Sequence, residues 1–361
     1  MTPEATLARL REYMVGPSRF MNLLSCFELG IIDALRETPG MTAAQLGEAA
    51  GVKPDAVEQL LHLLVKESFV AHDEASGGYT LAALDGIAEA DLQRVLAMFD
   101  LIKVTTLRQL FYLTETVRTG TVVGLKEFYG FDGTLFAALA EHKDLRDSWA
   151  PAMDMETVRV DPWFFENIDI PSGAQVLDLA GNTGLGAVHT YKQKASPGLR
   201  VTTFDLPSRE EEALENFRAH GVAEHCSFIG GDVFTEIPRG FDVVLIKHFL
   251  AMWDKADVFK IFRGVNQALD VGGQVNILIP LYPENNDDTD TRSSVEFYPT
   301  FFIGCAMGQG GGQKLSTYRS WLKDCGFEVT NVIVEDPADI PADAIPVHAI
   351  VAAEKVTDIA G

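Results

Sequence analysis

From Pro171 onward, short apolar runs alternate with amphipathic segments, and this alternation constrains the fold more than any other feature of the chain. Strand-length apolar runs separated by helix-length segments are typical of a parallel sheet that is covered by helices. The apolar runs are 174–180, 200–206, 226–232, 241–248, 273–280, 328–334 and 348–355, and the clearest helices are 208–220, 256–269 and 316–325. We therefore predict an α/β domain with a seven-stranded sheet.

The N-terminal part of the chain follows a different pattern. Residues 3–37 carry apolar side chains at helical spacing, and residues 42–50 and 54–67 form a predicted helix pair. The segments SFVAH and GGYTL then read as a hairpin whose turn is Ser76-Gly77-Gly78. A helix pair followed by a two-stranded wing is the winged-helix pattern, so we predict a mostly helical winged-helix domain.

Charge argues against nucleic acid as the partner of this winged helix. Residues 41–80 contain Lys53 and Lys66 against six acidic side chains, and the whole chain has a net charge of −23. Such a balance repels both nucleic acid and anionic membrane. A dimerising or substrate-covering module is therefore the favoured reading. We predict domains at 1–98 (winged-helix dimerisation), 99–165 (helical linker and substrate cover) and 166–361 (catalytic).

Composition limits the class of protein further. The 361 residues are 47% hydrophobic, which allows sizeable cores. No apolar run approaches the roughly 18 residues that indicate a membrane span, and the N-terminus lacks the signal-peptide pattern. The four cysteines are scattered without a CxxC pair, which argues against a structural zinc site and against a disulfide framework. We expect a cytoplasmic protein with no metal.

The first predicted strand runs into VLDLAGNTGLG, which has the glycines of a ligand-binding turn. Asp205 ends the next strand, where a carboxylate can accept ribose hydroxyl protons, and Asp232 and Val233 end the third, where they suit an adenine ring. Neither a GxGxxG fingerprint nor a GxxxxGK[ST] phosphate loop is present. The acidic surroundings favour an adenosyl ligand with positive charge over one with a pyrophosphate.

Taken together, these motifs resemble those of the class I S-adenosylmethionine-dependent methyltransferases, and specifically the small-molecule O-methyltransferases with an N-terminal winged-helix dimerisation domain. The resemblance covers nearly the whole chain through VLDLAGNTG, FDLP, GDVF, K-H-x-x-x-x-W, the glycines at 272–273 and the run GGG…Y…W…CGF. It implies a Rossmann-like seven-stranded methyltransferase sheet, S-adenosyl-L-methionine as cofactor, a small-molecule substrate and a homodimer formed through the N-terminal domain.

The resemblance also implies roles for individual residues. The implied cofactor-binding residues are Thr157, Asp178, Gly181, Gly184, Asp205, Leu206, Asp232, Val233, Phe234 and Lys247, and the implied substrate-binding residues are Met153, Trp253, Tyr298 and Phe302. Ordinary core packing is an equal alternative for Met153. Asn182 stands where the family usually has glycine, but asparagine tolerates left-handed backbone well.

The segment IKHFLAMWD departs from the family. O-methylating members have H-x-x-H-D-W here, in which the second histidine deprotonates the substrate hydroxyl and a later acidic residue orients it. This chain has Ala251 and Met252 instead, and Lys314 aligns with the acid. His248 is the remaining candidate base, against a structural or substrate-contacting role. The further candidates are Tyr129, Asp254, Glu296 and Tyr298.

Three functions remain open at this point. The first is methyl transfer to a small, aromatic secondary metabolite, at carbon or oxygen, with carbon favoured because the usual base is missing. The second is an enzyme of the same fold that binds the cofactor but performs hydroxylation, decarboxylation or pericyclic chemistry. The third is a catalytically inactive winged-helix binding protein or regulator, against which the acidic charge counts.

Overall fold

The computed structural model describes residues 2–285, 294–308, 310–345 and 347–359. The chain divides into two compact units, Met1–Phe99 and Asp100–Gly361. No helix among the described residues is long and apolar enough to cross a membrane.

The first unit contains the predicted helix pair and wing. Its elements are α1 (Pro3–Glu28), α2 (Ile31–Glu37), β1 (Met41–Thr42), α3 (Ala43–Ala50), α4 (Pro54–Lys66), β2 (Val70–Asp73), β3 (Gly78–Leu81) and α5 (Glu89–Asp100). The helical region predicted at 3–37 is two helices, because Gly30 adopts a left-handed φ of 70° between them. Thr42 begins α3 with a capping box that it shares with Gln45, so the helix pair starts where local sequence directs it.

Helix α4 buries one apolar face in the core of this unit, whereas α1 leaves a row of apolar side chains exposed. Val57, Leu61 and Leu64 of α4 are buried together with Ile32 and Leu35 of α2. The exposed apolar residues of the first half of α1 include Leu7, Leu10, Tyr13 and Met14. A contiguous apolar surface of this kind is typical of a protein–protein interface.

The second unit opens with helices and continues with the sheet. Its α-helices are α6 (Arg108–Leu110), α7 (Leu113–Thr119), α8 (Val123–Tyr129), α9 (Leu135–Glu141), α10 (Lys143–Glu166), α11 (Leu185–Lys194), α12 (Glu210–Ala219), α13 (Lys255–Ala268), α14 (Ser294–Phe301) and α15 (Leu315–Asp324). Two π-helical segments, Leu101–Leu107 and Phe302–Ala306, adjoin α6 and α14. Helices α8, α9 and α14 contribute to one apolar cluster, which includes Leu125, Leu135 and Phe301.

Seven strands form the mixed sheet of this unit. They are β4 (Gln175–Leu179), β5 (Arg200–Asp205), β6 (Cys226–Gly230), β7 (Phe241–Lys247), β8 (Leu269–Pro280), β9 (Phe327–Val334) and β10 (His348–Lys355). Their order is β6-β5-β4-β7-β8-β10-β9. Strand β4 pairs in parallel with β5 and β7, so the turns after these strands meet at one edge of the sheet. The predicted seven-stranded Rossmann-like methyltransferase sheet is confirmed.

The sheet is not parallel throughout, which corrects the reading of the alternation as a purely parallel sheet. Strand β10 runs antiparallel to both β8 and β9. The described residues between β9 and β10 contain no helix. A parallel connection needs a crossover, usually a helix, so without one the chain returns in the opposite direction.

Strand β8 also begins earlier than predicted, at Leu269 rather than at residue 273. The ammonium of Lys355 donates to the carbonyls of Asn266 and Leu269, at 2.6 Å each, and thereby fixes the corner between α13 and β8. Lys355 ends β10, the strand that pairs with β8, so a side chain of the neighbouring strand sets the geometry of this corner.

Candidate active site

The turn after β4 is held in an unusual backbone conformation. Ala180 and Asn182 have left-handed φ values of 58° and 50°, and Gly184, which precedes α11, has a φ of 74°. Asparagine is one of the few side chains that adopt this region readily. The departure from glycine at Asn182 is therefore compatible with the turn.

Two glycines of the turn are required by close packing. A Cβ atom on Gly181 would lie 2.3 Å from Asp178 Oδ2, and one on Gly184 would lie 2.6 Å from the Phe217 ring. The backbone of the turn therefore rests directly on the Asp178 carboxylate and on α12. Only residues without a side chain allow this approach.

Asp205 ties the neighbouring strand to the same turn. Its Oδ2 accepts the backbone N–H of Asn182 at 2.8 Å, and its Oδ1 accepts that of Leu206 at 2.7 Å. Burial raises the pKa of Asp205 above its usual value, although these N–H donors oppose the shift. Each carboxylate oxygen retains a further lone pair for a hydroxyl donor.

Asp178 is the buried carboxylate beneath the turn. It is only 1% exposed, and its Oδ2 has no hydrogen-bond partner among the described residues. Burial raises the pKa of Asp178 to about 6, even though the charge of Lys247 opposes the shift. Because this environment destabilises the ionised carboxylate, a cation or a hydrogen-bond donor that binds beside Asp178 is favoured.

The Lys247 ammonium at the end of β7 forms an ion pair with Asp161 of α10. Its Nζ donates to Asp161 Oδ1 at 2.7 Å and to Oδ2 at 3.0 Å, and His189 Nδ1 lies 2.8 Å from the same Oδ2. Burial alone would raise the pKa of Asp161, but Lys247 and His189 hold it below its usual range. Lys247 thus joins β7 to α10 close to Asp178. The pairing with Asp161 was not predicted.

The loop after β6 lies near the end of β7. Asp232 Oδ1 accepts the backbone N–H of Phe234 at 2.9 Å. The Phe234 ring then packs edge-to-face on Trp253, with 4.6 Å between centroids. Residues proposed for the adenine and for the substrate are therefore brought together. Leu206, by contrast, remains 48% exposed.

Met153 and Thr157 both lie on helix α10, within the region predicted to be helical, and both side chains are half-buried. Asp154 between them has its pKa raised to about 6 by burial and by the nearby Glu212, while Thr183 and His189 oppose the shift. Thr183 belongs to the turn after β4. Three carboxylates with raised pKa values, those of Asp154, Asp178 and Asp205, therefore lie around this turn, an arrangement that suits a positively charged ligand.

The positions of the family's usual base and acid are apolar and solvent-exposed, respectively. Ala251 is 2% exposed and belongs to the apolar cluster that also contains Trp149, Met252 and Tyr298. Lys314 is exposed, and its Nζ donates to the Glu284 carbonyl at 2.6 Å. Ala251 has no side-chain atom that can accept a proton, and the Lys314 side chain acts as a donor at its present position.

The backbone at His248 is not helical, so His248 and Ala251 do not share one face of a helix. His248 has a left-handed φ of 54°, and its backbone N–H donates to the Leu278 carbonyl at 3.1 Å. Its ring meets that of His348 edge-on, with 4.8 Å between centroids. Burial, and then the neighbouring His348, lower the pKa of His248 to about 3. A base with that pKa binds a substrate proton poorly at neutral pH, which argues against the catalytic role.

The other candidate bases are engaged or remote. The Tyr129 hydroxyl lies between Arg108 and Asp144, and Asp254 begins α13 by accepting the Asp257 N–H at 2.9 Å. Glu296 is exposed on α14. Burial, followed by the charge of Glu156, raises the pKa of Tyr298. Tyr298 and Phe302 stack on each other at 5.4 Å within the apolar cluster.

The glycine-rich segment 310–312 packs directly against Met252 and Tyr282. A Cβ atom on Gly310 would lie 2.5 Å from the Met252 carbonyl, and one on Gly312 would lie 1.7 Å from the Tyr282 ring. The Gly311 N–H donates to the Ala251 carbonyl at 3.2 Å. These glycines allow the segment to pass directly over the residues that replace the usual base.

Comparisons with known proteins agree with this arrangement. An O-methyltransferase domain model matches residues 110–328, and an O-methyltransferase dimerisation domain model matches residues 12–84. The mitomycin biosynthesis 6-O-methyltransferase of Streptomyces lavendulae is 31% identical over 328 residues, which cover 90% of this chain and 87% of that protein. The L-tyrosine C(3)-methyltransferase of the same organism is 22% identical and covers 87% and 85%.

The structure of the mitomycin 7-O-methyltransferase MmcR superposes with a TM-score of 0.81 at 25% identity, over 98% of each chain. The fold, the glycine turn after β4 and the matched domain models therefore all indicate the same family. The chain belongs to the S-adenosylmethionine-dependent O-methyltransferase family of small-molecule enzymes, with the N-terminal dimerisation domain of that family.

Proposed function

We propose that the chain methylates a small aromatic secondary metabolite, at an electron-rich ring carbon, without a protein base of the usual kind. One observation carries this proposal. The site of the usual base is the buried Ala251, inside an apolar cluster that also contains Met252 and Tyr298. A phenol with a pKa of about 10 needs a base for O-methylation at neutral pH. An electron-rich ring carbon can instead attack the methyl group first, and the proton on that carbon then leaves the cationic ring to water.

The residues around the turn fit S-adenosylmethionine. Gly181 and Gly184 let the backbone of the turn pack directly against Asp178 and Phe217, and Asp205 has lone pairs for ribose hydroxyls. Asp232, Val233 and Phe234 follow β6, where an adenine would lie against them. When bound, the cofactor supplies an electrophilic methyl group on a sulfonium. Thr157 and Lys247 remain candidates for contacts with it, as does Leu206.

The acidic side chains act on the cofactor's charge. Asp154 and Asp178 both have pKa values raised to about 6, so a cation nearby stabilises their ionised forms. This preference distinguishes the positively charged sulfonium from its neutral thioether product. Release of the product is favoured by the same carboxylates.

The apolar cluster would hold and align the substrate ring. Tyr298 and Phe302 belong to this cluster together with Ala251 and Met252. Met153 and Trp253, which are not members of it, are the other proposed contacts. Methyl transfer between two aligned groups depends mainly on holding the nucleophile about 3 Å from the methyl carbon, in line with the breaking bond. Packing against aromatic side chains supplies this alignment and excludes water.

We also propose that the chain is a homodimer through its N-terminal unit. The exposed apolar row on α1 and the dimerisation domain match at residues 12–84 support this. An apolar helix face left in water is unfavourable, and a second copy is the partner that the family match indicates.

Incubation with methyl-labelled cofactor tests the reaction. A panel of phenols and amino-phenols, including L-tyrosine and 3-amino-4-hydroxybenzoate, is followed by mass spectrometry and NMR. We expect the label on a ring carbon. Label on oxygen would replace the carbon assignment, and product without label would sink methyl transfer. Calorimetry with S-adenosylhomocysteine is the companion measurement, and failure to bind would remove the cofactor assignment itself.

A further inference from the structure

Three side chains from distant parts of the second unit face one another beside the proposed substrate cluster. Glu156 lies on α10, His248 follows β7, and His348 begins β10. One ligand-type atom from each residue lies within 4.8 Å of the other two. His348 is completely buried, and the other two are half-buried.

Two imidazole nitrogens in this group have no hydrogen-bond partner among the described residues. They are Nε2 of His248 and Nε2 of His348, and both are buried. Glu156 Oε1 is 3.6 Å from His348 Nε2, which is too long for a hydrogen bond. A buried polar atom without a hydrogen-bond partner is unfavourable, so two of them at one place call for an occupant.

The second nitrogen of His348 is fixed by a carboxylate. Glu335 Oε2 lies 2.8 Å from His348 Nδ1 and also accepts the His348 backbone N–H at 2.8 Å. With the ring proton at Nδ1, the lone pair of Nε2 points toward Glu156 and His248. A carboxylate behind a histidine is the usual outer support of a metal-binding imidazole.

The charge of the group is compatible with a cation. Glu156 and Glu335 are paired with one guanidinium, that of Arg159, which lies 2.6 Å from Glu156 Oε1 and 3.3 Å from Glu335 Oε1. With both histidines neutral, one negative charge is left over.

We propose that Glu156, His248 and His348 bind a divalent transition-metal ion of the zinc type. Two imidazoles and one carboxylate suit such ions better than magnesium or calcium, which prefer oxygen ligands alone. Three protein ligands leave zinc one open coordination position, which a water or a substrate oxygen can take. The proposal is independent of the position that is methylated.

A competing arrangement places the ring proton of His348 on Nε2. Arg159 NH2 lies 3.0 Å from His348 Nδ1 and could donate to it, which would leave Nε2–H facing Glu156. In that arrangement His348 is not a ligand, and the cluster is a purely structural ion-pair network. Metal titration separates the two arrangements.

The test uses the full-length protein after treatment with a chelator. Co²⁺ is titrated while its visible d–d absorption is recorded, and Zn²⁺ is then added to displace it. We expect a single saturable site per chain, tighter for Zn²⁺ than for Co²⁺, and no competition from Mg²⁺. Absence of a saturable Co²⁺ band in the correctly folded protein overturns the proposal.

Variants locate the site. His248→Asn and Glu156→Gln should abolish the Co²⁺ band, and Glu335→Gln should weaken Zn²⁺ binding by about 10- to 100-fold. His220→Asn is the matched control, because His220 is an exposed histidine at the end of α12. Circular dichroism verifies that each variant is folded. A band that survives both ligand substitutions, or that disappears in the control, contradicts the assignment.

Discussion

Asp205 Oδ2 accepts the backbone N–H of Asn182 at 2.8 Å, so a carboxylate at the end of β5 fixes the turn that follows β4. We expect Asp205→Asn to weaken S-adenosylhomocysteine binding by about 10- to 100-fold, since hydrogen bonds to charged groups contribute about 1.5–3 kcal/mol. Calorimetry measures the change. Asp242→Asn is the control, because Asp242 accepts the Gln175 N–H at 2.8 Å at the opposite edge of the sheet. Equal effects in both variants would contradict a ligand-binding role for Asp205.

Gly184→Ala should both destabilise the protein and weaken cofactor binding. The added Cβ meets the Phe217 ring at 2.6 Å, and the φ of 74° disfavours any side chain. Gly221→Ala is matched in backbone, with a φ of 69°, but nothing lies within 4 Å of its Cβ position. We expect urea unfolding to show an extra loss of about 1–3 kcal/mol for Gly184→Ala, which is the usual cost of overpacking. Equal losses would show that packing against Phe217 is unimportant.

The pKa of Asp178 predicts a specific pH dependence of stability. Its carboxyl titrates at about 6 when folded and at about 3.9 when unfolded. Between these values the folded chain holds the extra proton, so this residue's contribution falls as pH rises through the window and is constant above it. Two pKa units correspond to about 3 kcal/mol.

Asp178→Asn removes this contribution. The free energy of unfolding of the variant, relative to wild type, should therefore increase from pH 4 to pH 6 by up to about 3 kcal/mol. Urea titrations across this range provide the comparison. Asp161 changes in the opposite direction, because its pKa is lowered in the folded chain, so only the difference between the two proteins is informative. A pH-independent difference would mean that Asp178 has an ordinary pKa.

Removal of the Lys247 ammonium should be costly. Lys247→Met leaves Asp161 buried at 1% exposure with His189 as its remaining partner. Breaking one side of a buried ion pair typically costs about 3–5 kcal/mol, and we expect a loss in that range on urea unfolding. Lys260→Met removes the exposed partner of Asp257 and should have little effect. A small change in Lys247→Met would show that the pair is dispensable.

The apolar row on α1 predicts how the oligomer can be split. Leu10 and Met14 are 52% and 73% exposed in the single chain. Leu10→Glu combined with Met14→Glu places charge in the proposed interface, and light scattering should then report the mass of one chain. Val356→Glu, at a 48% exposed position of the second unit, is the control and should remain dimeric. A dimer that survives the double substitution must be formed elsewhere.

Strand positions were predictable from sequence because β4 and β7 are buried on both faces and so appear as apolar runs. The direction of β10 was not, since apolar runs look alike in either orientation. The glycine turn and Asp205 were also predictable, because adjacent parallel strands bring their carboxyl ends together. These features depend on local pattern and simple topology.

The group at Glu156, His248 and His348 had no such signal. Its members come from α10, β7 and β10, and no spacing in the sequence connects them. His248 could be placed only once its left-handed φ of 54° was known, because this turns its ring toward His348 instead of Ala251. Hydrophobic periodicity in a sequence does not reveal contacts that depend on tertiary packing.

The position of β10 between β8 and β9 has a consequence for biosynthesis. Strand β9 leaves the ribosome before β10, yet β10 is its only neighbour in the described sheet. The edge of β8 that pairs with β10 also remains unpaired until β10 has been synthesised. Closure of this half of the sheet therefore waits for the synthesis of β10, and until then the nascent chain exposes unpaired strand edges that chaperones can recognise.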